Sequence, residues 1–302
     1  MKKTKIDRYT LSASVHTVNI HCMHQPTIPE YIDLDILRVS YLQKTGVWSI
    51  RLNPNKIQGD IFAYSEFYAS VLNLFRELQV PDFTYYRTDI RLDSYEDNFK
   101  AYYKLNSLLI NLFGILFHDP NSQAICHMLT QSKEFSDIST ANQYWEVKYY
   151  NKKFQTNDTD PAKARLEFRS LKSTNVRGHP PHEVKEMWFQ KLEALPDLYA
   201  DLQNRCNAEL YRAYKAYCNY NGKGAARKDY LTNFLSSYSN GLTVYTRRQL
   251  ISFLKMCGLT GKTAEYRADN IVEKVRIEFF SKADIKRYIS KIKSAMDAFF
   301  NC

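Results

Sequence analysis

The chain has 302 residues, 44% of them hydrophobic, the composition of a soluble globular protein with a sizeable core in one large domain or two ordinary ones. No apolar run reaches the ~18 residues of a membrane span, and none follows the basic start as a secretory signal requires. The formal charge of +10 is uneven: residues 1–204 balance 24 Lys and Arg against 24 Asp and Glu, whereas residues 205–302 carry 18 against 8. An excess confined to the last third points to a polyanion partner there, the alternative being a helical domain with a solvated lysine surface. The six cysteines form no CxxC pair, which favours reduced thiols in a cytoplasmic protein over disulfides or a zinc site.

In chain order, period-2 alternation predicts strands near 12–21, 34–42, 46–53, 83–93, 124–130, 144–152 and 164–171, and 3.6-residue periodicity predicts helices near 63–79 and 98–117. All nine prolines lie at or before Pro196, so a strand-and-loop region gives way to a helical one, with "GHPPHE" (178–183) as linker. Helices are expected at 183–194 and 197–219. Thr246 with Gln249, and Ser281 with Asp284, have capping-box spacing before apolar periodic runs. The stretch 247–272 reads as helix, Gly258 turn, helix, as in helix-turn-helix modules, and carries Arg247, Arg248, Lys262 and Arg267. The expected fold is α+β: a largely antiparallel sheet with helices on one face in residues 1–180, then an all-helical basic DNA-binding domain in residues 181–302.

A strand sends alternate side chains to opposite faces. In 87–93 one face carries Arg87, Asp89, Arg91 and Asp93 and the other Thr88, Ile90 and Leu92. Residues 146–152 set Glu146, Lys148, Tyr150 and Lys152 against Val147 and Tyr149, and 165–169 set Arg165, Glu167 and Arg169 against Leu166 and Phe168. If these strands are neighbours, one sheet face is dense in paired charge. Such a face suits phosphodiester chemistry, because carboxylates hold Mg2+ or Mn2+ through oxygen while arginines and lysines neutralise phosphate. The alternative is a solvated sheet whose opposite charges pair across strands for ~0.2–1 kcal/mol each.

The ordered trio "YYRTDIRLD" (85–93), "VKYYNKKFQ" (147–155) and "ARLEFRSLK" (164–172) resembles the replication-initiator superfamily of rolling-circle plasmids and filamentous phages. The resemblance implies a metal-dependent, tyrosine-using enzyme that nicks and rejoins one DNA strand. It makes Asp89 and Glu167 metal ligands, with Asp93 as a further ligand, and Lys152 a phosphate or leaving-group partner. Arg87, Arg91, Lys148, Arg165 and Arg169 then contact DNA.

In that family the nucleophile sits on a helix soon after the third motif. Residues 170–197 contain no tyrosine; the first is Tyr199, followed by Tyr211, Tyr214, Tyr217 and Tyr220 at intervals of three. Tyr199 is the first candidate and Tyr214 the second, although the spacing of the four makes a packing stripe; Tyr150 on the sheet stays open. His16, His21 and His24 do not form the His-hydrophobic-His triplet of another rolling-circle class, and no P-loop is present.

The expectation is a replication initiator that binds an origin, single-stranded at the nick, with a host helicase as partner. The alternative is a non-catalytic origin-binding protein or DNA-binding regulator, which the missing tyrosine favours. An RNA-binding sheet is a third reading, opposed by a face that is charged rather than aromatic. Oligomeric state and plasmid or phage origin are not read from the sequence.

Overall fold

The computed structural model describes residues 5–30, 32, 37–53, 63–97, 99–117, 137–171, 176–220, 227–237, 245–275 and 277–302. In chain order these form α1 (Lys5–Arg8), β1 (Ser12–Cys22), β2 (Leu37–Leu42), β3 (Val47–Leu52), α2 (Tyr64–Glu77), β4 (Thr84–Ser94), α3 (Phe99–Phe117), β5 (Asp137–Ala141), β6 (Trp145–Asn151), α4 (Lys152–Gln155) and β7 (Ala164–Ser170). The helices α5 (Pro181–Tyr220), α6 (Arg227–Ser237), α7 (Arg247–Met256), α8 (Gly261–Val275) and α9 (Lys282–Phe300) follow. The fold is α+β, with a seven-stranded antiparallel sheet of order β2-β3-β1-β4-β7-β6-β5 and a helical C-terminal region.

Two compact units divide the chain: a sheet unit of residues 1–98, 141–193 and 288–302, and a helical unit of residues 99–140 and 194–287. The chain passes between them near residues 98, 140, 193 and 287, where the sequence leads one to expect a single passage near 180. Within the sheet unit, alternation has the effect expected of it. Ile90, Leu92, Val147, Tyr149, Leu166 and Phe168 share the apolar face and are fully buried, each contributing about 1.5–3 kcal/mol. Trp188 of α5 covers that face, edge-on to Phe168 at 5.0 Å and to Trp145 at 4.9 Å. Helix α2 buries Phe67, Val71, Leu74 and Phe75, spaced as one helical stripe, with Phe75 against Phe83 at 4.5 Å.

In the helical unit, Thr246 and Gln249 form a reciprocal capping box that starts α7. Gly258, at φ +93°, turns the chain after it, a conformation that a Cβ would strain. The guanidinium of Arg247 then grips Asp269 of α8 through two bonds of 2.7 and 2.8 Å. Helix, turn and helix therefore stand where the sequence indicates.

Two expectations change. The helices expected at 183–194 and 197–219 are one, α5, which continues through Pro196. An internal proline removes one hydrogen bond and costs ~3 kcal/mol, but the flanking Leu192, Leu195 and Tyr199 are fully buried and offset it. The short, polar β5 at 137–141 lacks an apolar alternation that would announce it, and the strand expected at 124–130 lies outside the described residues. No helix among the described residues is long and apolar enough to cross a membrane.

Candidate functional site

The polar face is a checkerboard. Across β4, β7 and β6, one row reads Asp89, Arg169, Glu146; the next Arg91, Glu167, Lys148; the third Asp93, Arg165, Tyr150. Opposite charges thus face one another both along and across strands, which is how three strands can each carry a fully charged face without mutual repulsion. Tyr150 occupies the position where the pattern would place an acid.

Each carboxylate is engaged. Arg87 donates to both oxygens of Asp89, Nε at 2.9 and 3.1 Å and Nη2 at 2.7 Å. Arg165 grips Asp93 at 2.5 and 3.0 Å, and Arg91 adds a contact to Asp93 at 3.2 Å. Glu167 accepts a 2.6 Å bond on Oε1 from the Tyr150 hydroxyl and a 2.6 Å bond on Oε2 from Arg169, which also reaches Glu146 at 3.1 Å. Asp89, Glu167, Asp93 and Arg165 are all at most 2% exposed. A β-bulge in β1, between Val15 and Thr17, leaves His16 without a ladder partner on β4. Its Nδ1 lies 3.9 Å from Glu167.

Burial and neighbours split the two central acids. Burial pushes Asp89 up to about 6, against the bonds from Arg87, and the charge of Glu167 adds to the rise. Burial would raise Glu167 as well, but in the acid range His16, protonated only there, outweighs it together with Arg169, the Tyr150 hydroxyl and Arg165, and Glu167 lies at about 2. Burial drives His16 down to about 4, so its imidazole is neutral at pH 7. Burial first, then the charge of Glu167, pushes the Tyr150 phenol far above its ordinary value. Lys152 begins α4, which Asn151 caps by accepting from the Phe154 amide. Burial and then Arg165 lower the Lys152 ammonium, which lies 3.5 Å from Asp160.

Asp89, Glu167, Asp93, Arg87, Arg91, Lys148, Arg165 and Arg169 therefore share one face, as the sequence leads one to expect. The tyrosines differ. Tyr199 belongs to the helical unit, is fully buried, and donates its hydroxyl to the Phe280 carbonyl at 2.5 Å. Tyr214 packs its ring on Phe234 at 5.3 Å and Phe253 at 6.2 Å. Both are accounted for by packing, and Tyr150 is the tyrosine whose hydroxyl meets the acids. Its signal lies in "EVKYY": it shares the alternation of Glu146 and Lys148. In the helical unit, Arg248 and Lys262 are exposed, Arg267 is half-buried, and Arg247 is held by Asp269.

The resemblance implies Mg2+ or Mn2+ on this face. Asp89 and Glu167 lie diagonally adjacent, but guanidinium and phenol groups occupy their oxygens, and among the described residues no group of three His, Cys, Asp or Glu is placed to hold a metal ion. As arranged, Arg169 and Arg87 would have to move before a divalent ion could reach both acids. Comparison with protein-family models, with curated proteins and with solved structures gave no match to this chain.

Proposed function

We propose that the protein is a DNA replication initiator that nicks and rejoins one strand by tyrosine phosphodiester transfer, with Tyr150 as nucleophile. The observation that supports this most is the 2.6 Å bond from Tyr150 Oη to Glu167 Oε1, flanked by Arg165 and Arg169. Tyr150 Oη attacks the phosphorus of a single-stranded DNA phosphodiester: the O–P bond to tyrosine forms and the P–O3′ bond breaks. The phenolic proton passes to Glu167, and Lys152, with its lowered proton affinity, protonates the departing 3′ oxygen. The phosphotyrosine keeps the bond energy, so the reverse attack by the 3′ hydroxyl rejoins the strand.

At rest the proton stays on Tyr150, because Glu167 is held at about 2 and the phenol is pushed far up. A bound phosphate competes for Arg169. When Arg169 turns from Glu167 to the phosphate, Glu167 becomes a stronger base and the guanidinium stabilises charge on the pentacoordinate phosphorus. The chemistry engages the nucleophile only when substrate is present. Divalent-ion assistance, implied by the resemblance, joins this reading only as an addition that Arg87 and Arg169 must make room for, and no step depends on it. Origin recognition falls to the basic helical unit, with Arg248, Lys262 and Arg267, and a host helicase in the cytoplasm would extend the melted region.

The test uses a labelled single-stranded oligonucleotide of randomised sequence, with Mn2+, Mg2+ or chelator, resolved on denaturing gels. A covalent adduct is expected in the wild type and in Tyr199→Phe, and none in Tyr150→Phe. An adduct that persists in Tyr150→Phe removes Tyr150 from the mechanism. Binding with no adduct under every metal condition favours the non-catalytic origin-binding reading, in which the engaged acids are only structural.

A further inference from the structure

Beyond the checkerboard, the polar face continues onto β1, β3 and β2, where its chemistry changes. Arg38 on β2 stands directly opposite Arg51 on β3, Arg51 opposite Asn19 on β1, and Asn19 opposite Arg87 on β4. Like charges placed directly opposite destabilise a sheet, and the pairs elsewhere on this face avoid it. Arg87, Arg91, Arg165 and Arg169 each hold a carboxylate. Arg38 and Arg51 are exposed and, among the described residues, have no carboxylate in ion-pair reach. Burial of part of its side chain, then Arg87, and after them Arg38 and Arg169 lower the Arg51 guanidinium, and Asp89, which opposes the shift, is already gripped by Arg87. An anion placed between Arg38 and Arg51 removes this repulsion.

We infer that Arg38 and Arg51 form a second phosphate-binding station that holds single-stranded DNA away from the scissile bond, an inference that rests on the nicking reading for the identity of the strand. From β3 to β6 the sheet order has four inter-strand steps, about 19 Å at ~4.8 Å per step, and the Arg51–Asn19–Arg87 row is offset along β4 from the Asp93–Arg165–Tyr150 row by roughly another 20 Å at ~3.3 Å per residue. The station therefore grips the strand several nucleotides from the phosphate facing Tyr150, and the DNA crosses β1, β4 and β7 between the two. One group lines that crossing: the Ser49 hydroxyl donates to Asn19 Oδ1 at 3.0 Å, leaving the Asn19 amide N–H2 as a donor to phosphate. On the side of the station away from Tyr150, His21 and Tyr86 stack on each other at 4.0 Å and offer an aromatic surface to a base of the strand continuing past it.

The station contributes grip and register, and Tyr150 contributes the chemistry. Neutralising the two arginines should thus change binding and leave the bond-making groups intact. The assay is fluorescence anisotropy of labelled oligo-dT with wild type, Arg38→Gln, Arg38→Gln/Arg51→Gln and Tyr150→Phe. Two phosphate contacts on a single strand contribute about 1.4 to the slope of log affinity against log salt. The double variant is expected to lose about that much slope, so its deficit relative to wild type shrinks roughly sevenfold between about 50 and 200 mM salt. Arg38→Gln should lose about half of it and Tyr150→Phe none. An unchanged slope in the double variant overturns the station whatever the nicking assay gives. A lowered slope in a protein that never forms an adduct upholds the station and refutes the catalytic reading, and a wild type that does not bind oligo-dT refutes both.

Discussion

Asp89 and Glu167 are diagonal neighbours on one face, yet replacing each by its amide should move stability in opposite directions. Glu167 has a folded value of about 2 against an ordinary 4.5. Its ionised form is favoured by folding, the contribution is complete above pH 4.5, and it fades as pH falls through 2. At 1.36 kcal/mol per unit the whole shift is about 3 kcal/mol, and at pH 7 less, because His16 is neutral there and its share is absent. Asp89 has a folded value of about 6 against an ordinary 3.8. Folding disfavours its ionised form, so the penalty is absent below pH 3.8 and complete above 6, again about 3 kcal/mol. Glu167→Gln is therefore expected to destabilise the sheet unit at pH 7 by about 1–3 kcal/mol, and Asp89→Asn to stabilise it by about 1–3 kcal/mol. Trp48, Trp145 and Trp188, the three tryptophans of the chain, all belong to the sheet unit. Urea unfolding followed by tryptophan fluorescence at pH 7 reports that unit specifically, as midpoint shifts at constant m. At pH 4 the gain of Asp89→Asn should largely vanish. If both substitutions destabilise at pH 7 by similar amounts, the split between the two acids is wrong, and with it the view that Asp89 is held at the expense of stability.

Other substitutions probe the same face and its underside. Asp93→Ala removes the carboxylate bonded to Arg165, 2% exposed, leaving Asp160 at 3.7 Å and the charge of Glu167 as its acidic neighbours among the described residues, and should cost about 3–5 kcal/mol in the same unfolding assay; a loss under 1 kcal/mol would mean that water reaches the guanidinium. The Thr88 hydroxyl is buried without a partner among the described residues, so Thr88→Val should raise stability by about 1 kcal/mol, read as a higher urea midpoint, and a lower midpoint would reveal a bond to water.

How legible the site was depends on which interaction set each feature. The faces of β4, β6 and β7 follow from alternation alone, since burying Ile90, Val147 and Phe168 fixes where Asp89, Lys148 and Glu167 must point. The register is not local: that Asp89 meets Arg169 depends on pairing between segments 80 residues apart, and that Tyr150 meets Arg165 depends on how β6 and β7 fold back on each other across 15 residues. The bulge that frees His16 leaves no mark in "SVHTV" beyond an interrupted alternation. Tyr150 stands in plain view in the alternation of β6, but the resemblance places the nucleophile on a later helix, where Tyr199 has its hydroxyl committed to a backbone carbonyl. Arg38 and Arg51 carry no signal in the sequence, because two arginines 13 residues apart in the chain become significant only when the pairing of β2 with β3 sets them opposite each other. Helix α5 illustrates the reverse failure: Pro196 signals a break that burial on both sides overrides.

The most direct test of the central claim is the identity of the residue that carries DNA. Wild-type protein is incubated with the oligonucleotide, the adduct digested with protease and nuclease, and the nucleotide-bearing peptide sequenced by mass spectrometry. The account predicts a 5′-phosphonucleotide on Tyr150, within the segment Trp145–Lys152. A nucleotide on Tyr199, on Tyr214 or on any residue outside the polar face contradicts it.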